Sequence, residues 1–137
     1  MPLKIVGLDH IVLRTSNLSA MLAFYQDVLA CPLERQLPPE VGLSQLRAGN
    51  TLIDIVDVNS ELGRLGGTAP SQQNNNLDHF CLQFTGCDLP SLIQHLTAQG
   101  VKVGDVAERY GAQGFGQSIY IQDPDGNTLE LKAHKPT

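Results

Sequence analysis

Leu8-Asp9-His10 and, 69 positions further along, Leu77-Asp78-His79 are one pattern written twice, each opening a strand-like apolar run. A second pair of matches closes each half. Asn50-Thr51-Leu52 returns as Asn127-Thr128-Leu129, and Ile53-Asp54-Ile55 is answered by Leu129-Glu130-Leu131. Triplets this short recur by chance, but their matching order does not. Each half therefore begins with a histidine in one strand and ends with a carboxylate in another, and internal repetition of this kind decides an architecture.

The parts between also correspond. Residues 5–14 alternate and read as a strand. Asn17 or Ser19 then caps a helix whose apolar positions Leu18, Met21, Leu22, Tyr25, Val28 and Leu29 fall at helical spacing, with Pro32 just beyond its end. In the second half 77–85 reads as a strand, Asp88 as a helix cap, Leu89, Leu92, Ile93 and Leu96 as the apolar stripe, and Gly100 as the stop. Three strands follow each helix, near 33–37, 42–48 and 51–58, and near 102–108, 117–122 and 127–133. Asp123-Pro124-Asp125-Gly126-Asn127 is the turn of a hairpin joining the last two, because proline presets φ and glycine or asparagine accepts a positive one. The pattern predicts an α+β fold of two βαβββ modules, about 3–58 and 77–134, in a single domain spanning 1–137. The segment 59–76, rich in Gly, Ser, Gln and Asn, reads as an aperiodic linker, mobile at 72–76.

Strand alternation sorts the candidate residues by face. His10 opposes Ile11 and Leu13; His79 opposes Phe80 and Leu82; Asp54 opposes Ile53 and Ile55; Glu130 opposes Leu129 and Leu131. In every case one face suits packing under a helix and the candidate occupies the other. Two imidazoles and one or two carboxylates suit Zn, Fe, Ni, Mn or Co better than Ca or Mg. Taken singly, each has a plain reading: a strand histidine is usually a hydrogen-bonded residue, and Glu130 alone would be a solvated carboxylate. Asp9 and Asp78 read as edge or turn charges, His95 and His134 as solvent-facing, Arg14 and Lys132 as surface charges or attractors of an anionic substrate, and Tyr110 and Tyr120 as packing residues. The stretch 111–116 reads as a glycine loop; its spacing is not that of a dinucleotide fingerprint.

Bulk properties exclude other classes. Of 137 residues, 42% are hydrophobic and 17% charged, ordinary for a globular domain. The net charge is −5 with no basic stripe, which argues against nucleic acid as a partner. No apolar run approaches the roughly 20 residues that span a bilayer, and the opening residues run straight into a strand pattern, so neither a membrane nor a signal peptide is expected. Cys31, Cys81 and Cys87, an odd count without CxxC spacing, are expected as reduced thiols of a cytoplasmic protein.

With these motifs, together with Phe24-Tyr25 and Val28-Leu29 in the first helix and Gly111-Ala112-Gln113-Gly114 in the closing segment, the chain resembles the vicinal-oxygen-chelate superfamily over nearly its whole length. It looks especially like small glyoxalase-domain-containing proteins. The resemblance implies a cupped mixed sheet around one divalent metal ion (Ni, Zn, Co, Fe or Mn), a small-molecule substrate and a homodimer whose modules pair within or between chains. It assigns the ligands to His10, His79 and Glu130, and places Asp54 where glyoxalase I-like members carry a glutamate. Aspartate is about 1.5 Å shorter in reach, going by bond lengths, so as a fourth ligand it binds through water, or it acts as a base, or it simply sits beside the metal. Ala30-Cys31 also departs from the Leu-Gly that ends this helix in many members. Three functions follow as expectations. The first is a metal-dependent lyase or isomerase, in which the metal holds two neighbouring substrate oxygens while Glu130 or Asp54 moves a proton. The second is an Fe(II) dioxygenase or Mn-dependent thiol transferase on a His-His-Glu site. The third is a non-catalytic, bleomycin-resistance-like binding protein.

Overall fold

The computed structural model describes residues 3–136. It divides into two compact units, 1–70 and 71–137, which correspond to the two repeats.

The first module runs β1 (His10–Thr15), α1 (Leu18–Ala23), β2 (Leu33–Gln36), β3 (Leu43–Ala48) and β4 (Thr51–Asp57), followed by a short α2 (Glu61–Arg64). Its sheet has the order β1-β4-β3-β2, with β1 parallel to β4 and the other pairs antiparallel. The second module repeats this design with β5 (Phe80–Phe84), α3 (Leu89–Ala98), β6 (Ala107–Gly111), β7 (Gly114–Gln122) and β8 (Thr128–Ala133) in the order β5-β8-β7-β6, with β5 parallel to β8. The α+β class and the doubled βαβββ pattern expected from the sequence are both present. In each module the first and last strands lie side by side: the histidine strand is the parallel neighbour of the carboxylate strand.

The apolar periodicities become two cores. In the first, Leu13, Met21, Phe24, Tyr25, Leu46, Ile53 and Ile55 are buried, with Phe24 and Tyr25 in edge contact at 5.2 Å. In the second, Leu89, Leu96, Ile119, Ile121, Leu129 and Leu131 are buried. Asp88 caps α3 as expected, its carboxylate accepting from the Ser91 backbone N–H at 2.9 Å. The first helix lacks such a cap; Thr15 Oγ1 instead accepts from the Asn17 backbone N–H. Its expected second half is a π-helical turn, Phe24–Val28, in which the Leu29 N–H reaches the Phe24 carbonyl.

That helix ends on Ala30 at φ 56°, the left-handed C-terminal position that glycine normally fills. An L-residue there is strained by about 1–2 kcal/mol, of which glycine's greater unfolded-state freedom takes back about 0.4–1 kcal/mol. Ala30→Gly is therefore expected to stabilise the protein by about 0.5–1 kcal/mol, seen as a higher urea midpoint with an unchanged slope.

Some boundaries differ from the sequence expectation. The strand expected over 5–14 begins at His10, because its partner β4 starts at Thr51; beyond the ladder the Leu52 N–H donates to the Asp9 carbonyl and the Thr51 hydroxyl to the Leu8 carbonyl. For the same reason β5 begins at Phe80, opposite Leu129, rather than at 77. The expected linker 59–76 contains α2, capped by Ser60 Oγ accepting from Gly63 N–H. The glycine loop 111–116 is a hairpin: Gly111 pairs with Gly114 at φ 87°, so β6 and β7 are joined by Ala112-Gln113. The Asp123–Asn127 turn joins β7 to β8 as expected. Among the described residues, no helix is long and apolar enough to cross a membrane, and the three cysteines are free.

Candidate metal centre

Parallel pairing of β1 with β4 sets Val12 beside Asp54, so His10, two residues earlier on the same face, is one pleat away from that carboxylate. Asp54 is 3% exposed, and the Gln45 side-chain amide directly across on β3 donates to both of its oxygens, at 3.3 and 3.2 Å. His10 is exposed, and its ring Nδ1 lies 2.7 Å from Asp9 Oδ1. Its pKa is raised above 6.5, chiefly by that hydrogen bond, with partial burial opposing and the charge of Asp54 assisting.

The second module is built to the same plan and more tightly. His79 Nδ1 lies 2.7 Å from Asp78 Oδ2, and its other nitrogen, Nε2, stands 3.4 Å from Glu130 Oε1. Glu130 is buried at 6% exposure, between Cys81 on β5 and Tyr120 on β7. The Tyr120 ring meets the His79 imidazole edge-on at 5.3 Å, and the Arg109 guanidinium lies over the tyrosine ring, 4.4 Å from its centroid. Arg109 is itself anchored on the Ser118 carbonyl and hydroxyl, at 2.7 and 3.0 Å. Cys81 is exposed as a residue, yet lost hydration of its sulfur and then the negative Glu130 push its thiol up to about 11.

Nitrogen and oxygen donors of this kind fit a divalent ion. Two donors each about 2.1 Å from one ion lie about 3.0 Å apart at a right angle and about 3.4 Å apart at the tetrahedral angle. The separation of His79 Nε2 from Glu130 Oε1 is of that size. Each module taken by itself supplies one histidine and one carboxylate, and no cluster of three or more His, Cys, Asp or Glu side chains is gathered among the described residues.

The sequence pattern of the Glyoxalase/Bleomycin resistance protein/Dioxygenase superfamily matches residues 7–131, almost the entire chain. The chain belongs to this superfamily. An integron cassette protein from the mobile metagenome of V. cholerae is similar to it at 29% identity, with a TM-score of 0.76 covering 98% of this chain and all of that one. Virulence protein STM3117 of Salmonella typhimurium is 27% identical over 128 residues, covering 93% of this chain and 83% of that protein. A lactoylglutathione lyase from Agrobacterium tumefaciens shares the fold at 20% identity, with a TM-score of 0.67 over 94% of each chain.

Within this superfamily member, several residues take roles that the sequence reading did not give them. Glu130 is buried rather than solvated. Arg14 is no free surface charge: its guanidinium donates to the carbonyls of Gly63, Gly67 and Thr68, and so ties the loop after α2 to β1. Lys132, also expected at the surface, is 3% exposed and donates to the Gly114 carbonyl. It fits there because Gly111 and Gly116 have no side chains; a Cβ at Gly111 would stand 2.8 Å from its Nζ. Tyr120, read as packing, buttresses His79, whereas Tyr110 is 74% exposed. His95 and His134 are exposed, as expected. Arg109 and the two aspartates were missed. The doubled Asp-His dipeptide was the available signal for the aspartates; Arg109 left none. A cleft of about 410 Å³ in the first module, lined by Leu18, Gln36, Leu37, Pro38, Pro39, Gly42, Leu43 and Ser44, holds no ionisable side chain and offers no competing chemistry.

Proposed function

We propose that this protein is a metal-dependent lyase or isomerase acting on a small substrate with two neighbouring oxygens. In this reading His10, His79 and Glu130 hold the ion, Asp54 moves the proton, and the protein works as a homodimer.

The observation that carries the reading is the facing pair in the second module. A carboxylate only accepts hydrogen bonds, so in the neutral form of His79 the contact with Asp78 places the proton on Nδ1. Nε2 then directs a lone pair toward Glu130 Oε1 at 3.4 Å, beyond ordinary N–H···O range. With Nε2 bare, two Lewis bases face each other, and a divalent cation between them would remove their repulsion. When bound, a divalent ion supplies Lewis acidity, polarising a substrate carbonyl and acidifying the adjacent C–H. The chain's own contribution is placement. Asp54 is withdrawn from solvent and clamped by Gln45, which fixes its oxygens as a proton acceptor needs. The aspartate is too short to serve well where relatives use glutamate as a ligand, and proton transfer gives it a different use.

The test is metal content of protein purified without chelator, together with hydrogen–deuterium exchange next to the carbonyl in a panel of small 2-hydroxy- and 2-oxocarbonyl compounds. Wild type is expected to carry near-stoichiometric Ni, Zn or Co. His79→Ala loses it, while Asp54→Ala keeps it and loses about 10²–10⁴-fold in exchange rate. Imidazole must be neutral to bind metal, and the His10 value lies above 6.5, so affinity falls as pH drops through that raised value. Iron or manganese with exchange indifferent to Asp54 would replace this reading with the dioxygenase or thiol-transferase chemistry. No metal after reconstitution would leave a binding protein.

A further inference from the structure

We infer that Asp9 and Asp78 are positioning residues that lock the two imidazoles in the Nδ1–H tautomer, so that each histidine presents Nε2 alone as a base; as an aid to metal binding this rests on the reading above. Neighbouring residues of a pleated strand point to opposite faces, so an aspartate and the histidine that follows it do not ordinarily meet. Here they meet in both modules, with Oδ to Nδ1 distances of 2.7 Å each time. The reason is positional: Asp9 and Asp78 both lie just outside the ladder, before β1 begins at His10 and β5 at Phe80. At Asp9 the carbonyl still accepts from Leu52 N–H, while the side chain folds back onto the ring.

A stability role does not account for the contact. The two aspartate side chains are 92% and 96% exposed, and exposed ion pairs contribute little. Orientation does account for it. A free imidazole exchanges its proton between nitrogens and rotates about its own axis; an acceptor fixed on Nδ1 stops both. Tyr120 then limits the His79 ring from the side at 5.3 Å. An outer carboxylate on the far nitrogen of a ligating histidine raises ligand basicity and typically accounts for 10–100-fold in metal affinity.

The experiment compares wild type with Asp9→Ala, Asp78→Ala and the conservative Asp78→Asn. The first readout is the tautomer of each histidine in metal-free protein at pH 8.5, from long-range ¹H–¹⁵N correlation, with His95 and His134 as internal controls. The second is zinc affinity by competition with a chromophoric chelator. Wild type is expected to show Nδ1–H at His10 and His79. Each alanine variant should lose that tautomer only at its own neighbour, with zinc affinity falling about 10–100-fold, and Asp78→Asn, whose amide oxygen still accepts, should restore most of both. Tautomers unchanged in the alanine variants, or, where wild type binds zinc, changed tautomers with unchanged zinc affinity, would overturn the inference. A wild type that binds no zinc but shows the locked tautomers, lost on substitution, would remove the metal reading and leave the positioning assignment standing.

Discussion

Glu130→Gln is expected to weaken metal binding at least 100-fold, about 2.7 kcal/mol, without destabilising the metal-free protein. The amide has the volume of the carboxylate and keeps an acceptor, so packing between Cys81 and Tyr120 is preserved. What it removes is the buried carboxylate that stands 3.4 Å from His79 Nε2. Burying an uncompensated charge is costly, so neutralising it should leave the metal-free unfolding midpoint equal or higher. A purely structural Glu130 would behave oppositely, losing stability and leaving metal affinity unmoved. The Cys81 thiol gives an independent report from the same variant. Burial and then Glu130 hold it at about 11, and the thiolate is the reactive form. In metal-free wild type, alkylation at Cys81, followed peptide by peptide, should therefore rise with an inflection near 11. In Glu130→Gln the anion is less opposed, and the inflection should move down. An unmoved inflection would mean that the carboxylate is not beside the sulfur.

The second large effect is structural. Asp123→Ala is expected to destabilise the protein by about 2–4 kcal/mol. Asp123 is 5% exposed at the β7–β8 turn. Its Oδ1 accepts from the backbone N–H groups of Asp125 and Asn127, both at 3.0 Å, and its Oδ2 from the Asn127 side-chain amide at 2.8 Å. Alanine would orphan three donors at once in a partly buried turn, whereas most single substitutions remove one. Because β8 carries Glu130, the loss should also loosen the site. Chemical denaturation measures the first effect, and zinc affinity at a temperature where the variant remains folded measures the second. Asp123→Asn, which keeps the acceptor Oδ1, should recover part of both; a loss below about 1 kcal/mol in the alanine variant would mean that water replaces the carboxylate without cost.

The difference between these two residues marks how much of the molecule was legible in advance. The Asp-Pro-Asp-Gly-Asn turn was readable because turn chemistry is local: proline, glycine and asparagine limit φ within a few residues. The doubled βαβββ pattern was readable because helices and strands bury one face each, which writes a period of 3.6 or 2 into the apolar positions. The opposition of His10, Asp54, His79 and Glu130 to their packed neighbours followed from the same alternation. Strand ends were less legible, since β1 and β5 stop where β4 and β8 run out of partners, and a strand's own residues do not record the length of its neighbour.

By itself, then, the sequence determined the α+β class, the two-module plan and the face on which each candidate ligand lies, all consequences of short-range periodicity. Only the tertiary structure decided which polar groups are held and by what. It buried Glu130 and Lys132, committed Arg14 to the carbonyls of Gly63, Gly67 and Thr68, turned the glycine stretch into a hairpin that makes room for a lysine, and set Arg109 over the Tyr120 ring that meets His79. Those outcomes depend on strand register, which brings residues far apart in sequence within hydrogen-bonding reach, and on the withdrawal of water that makes each such contact matter.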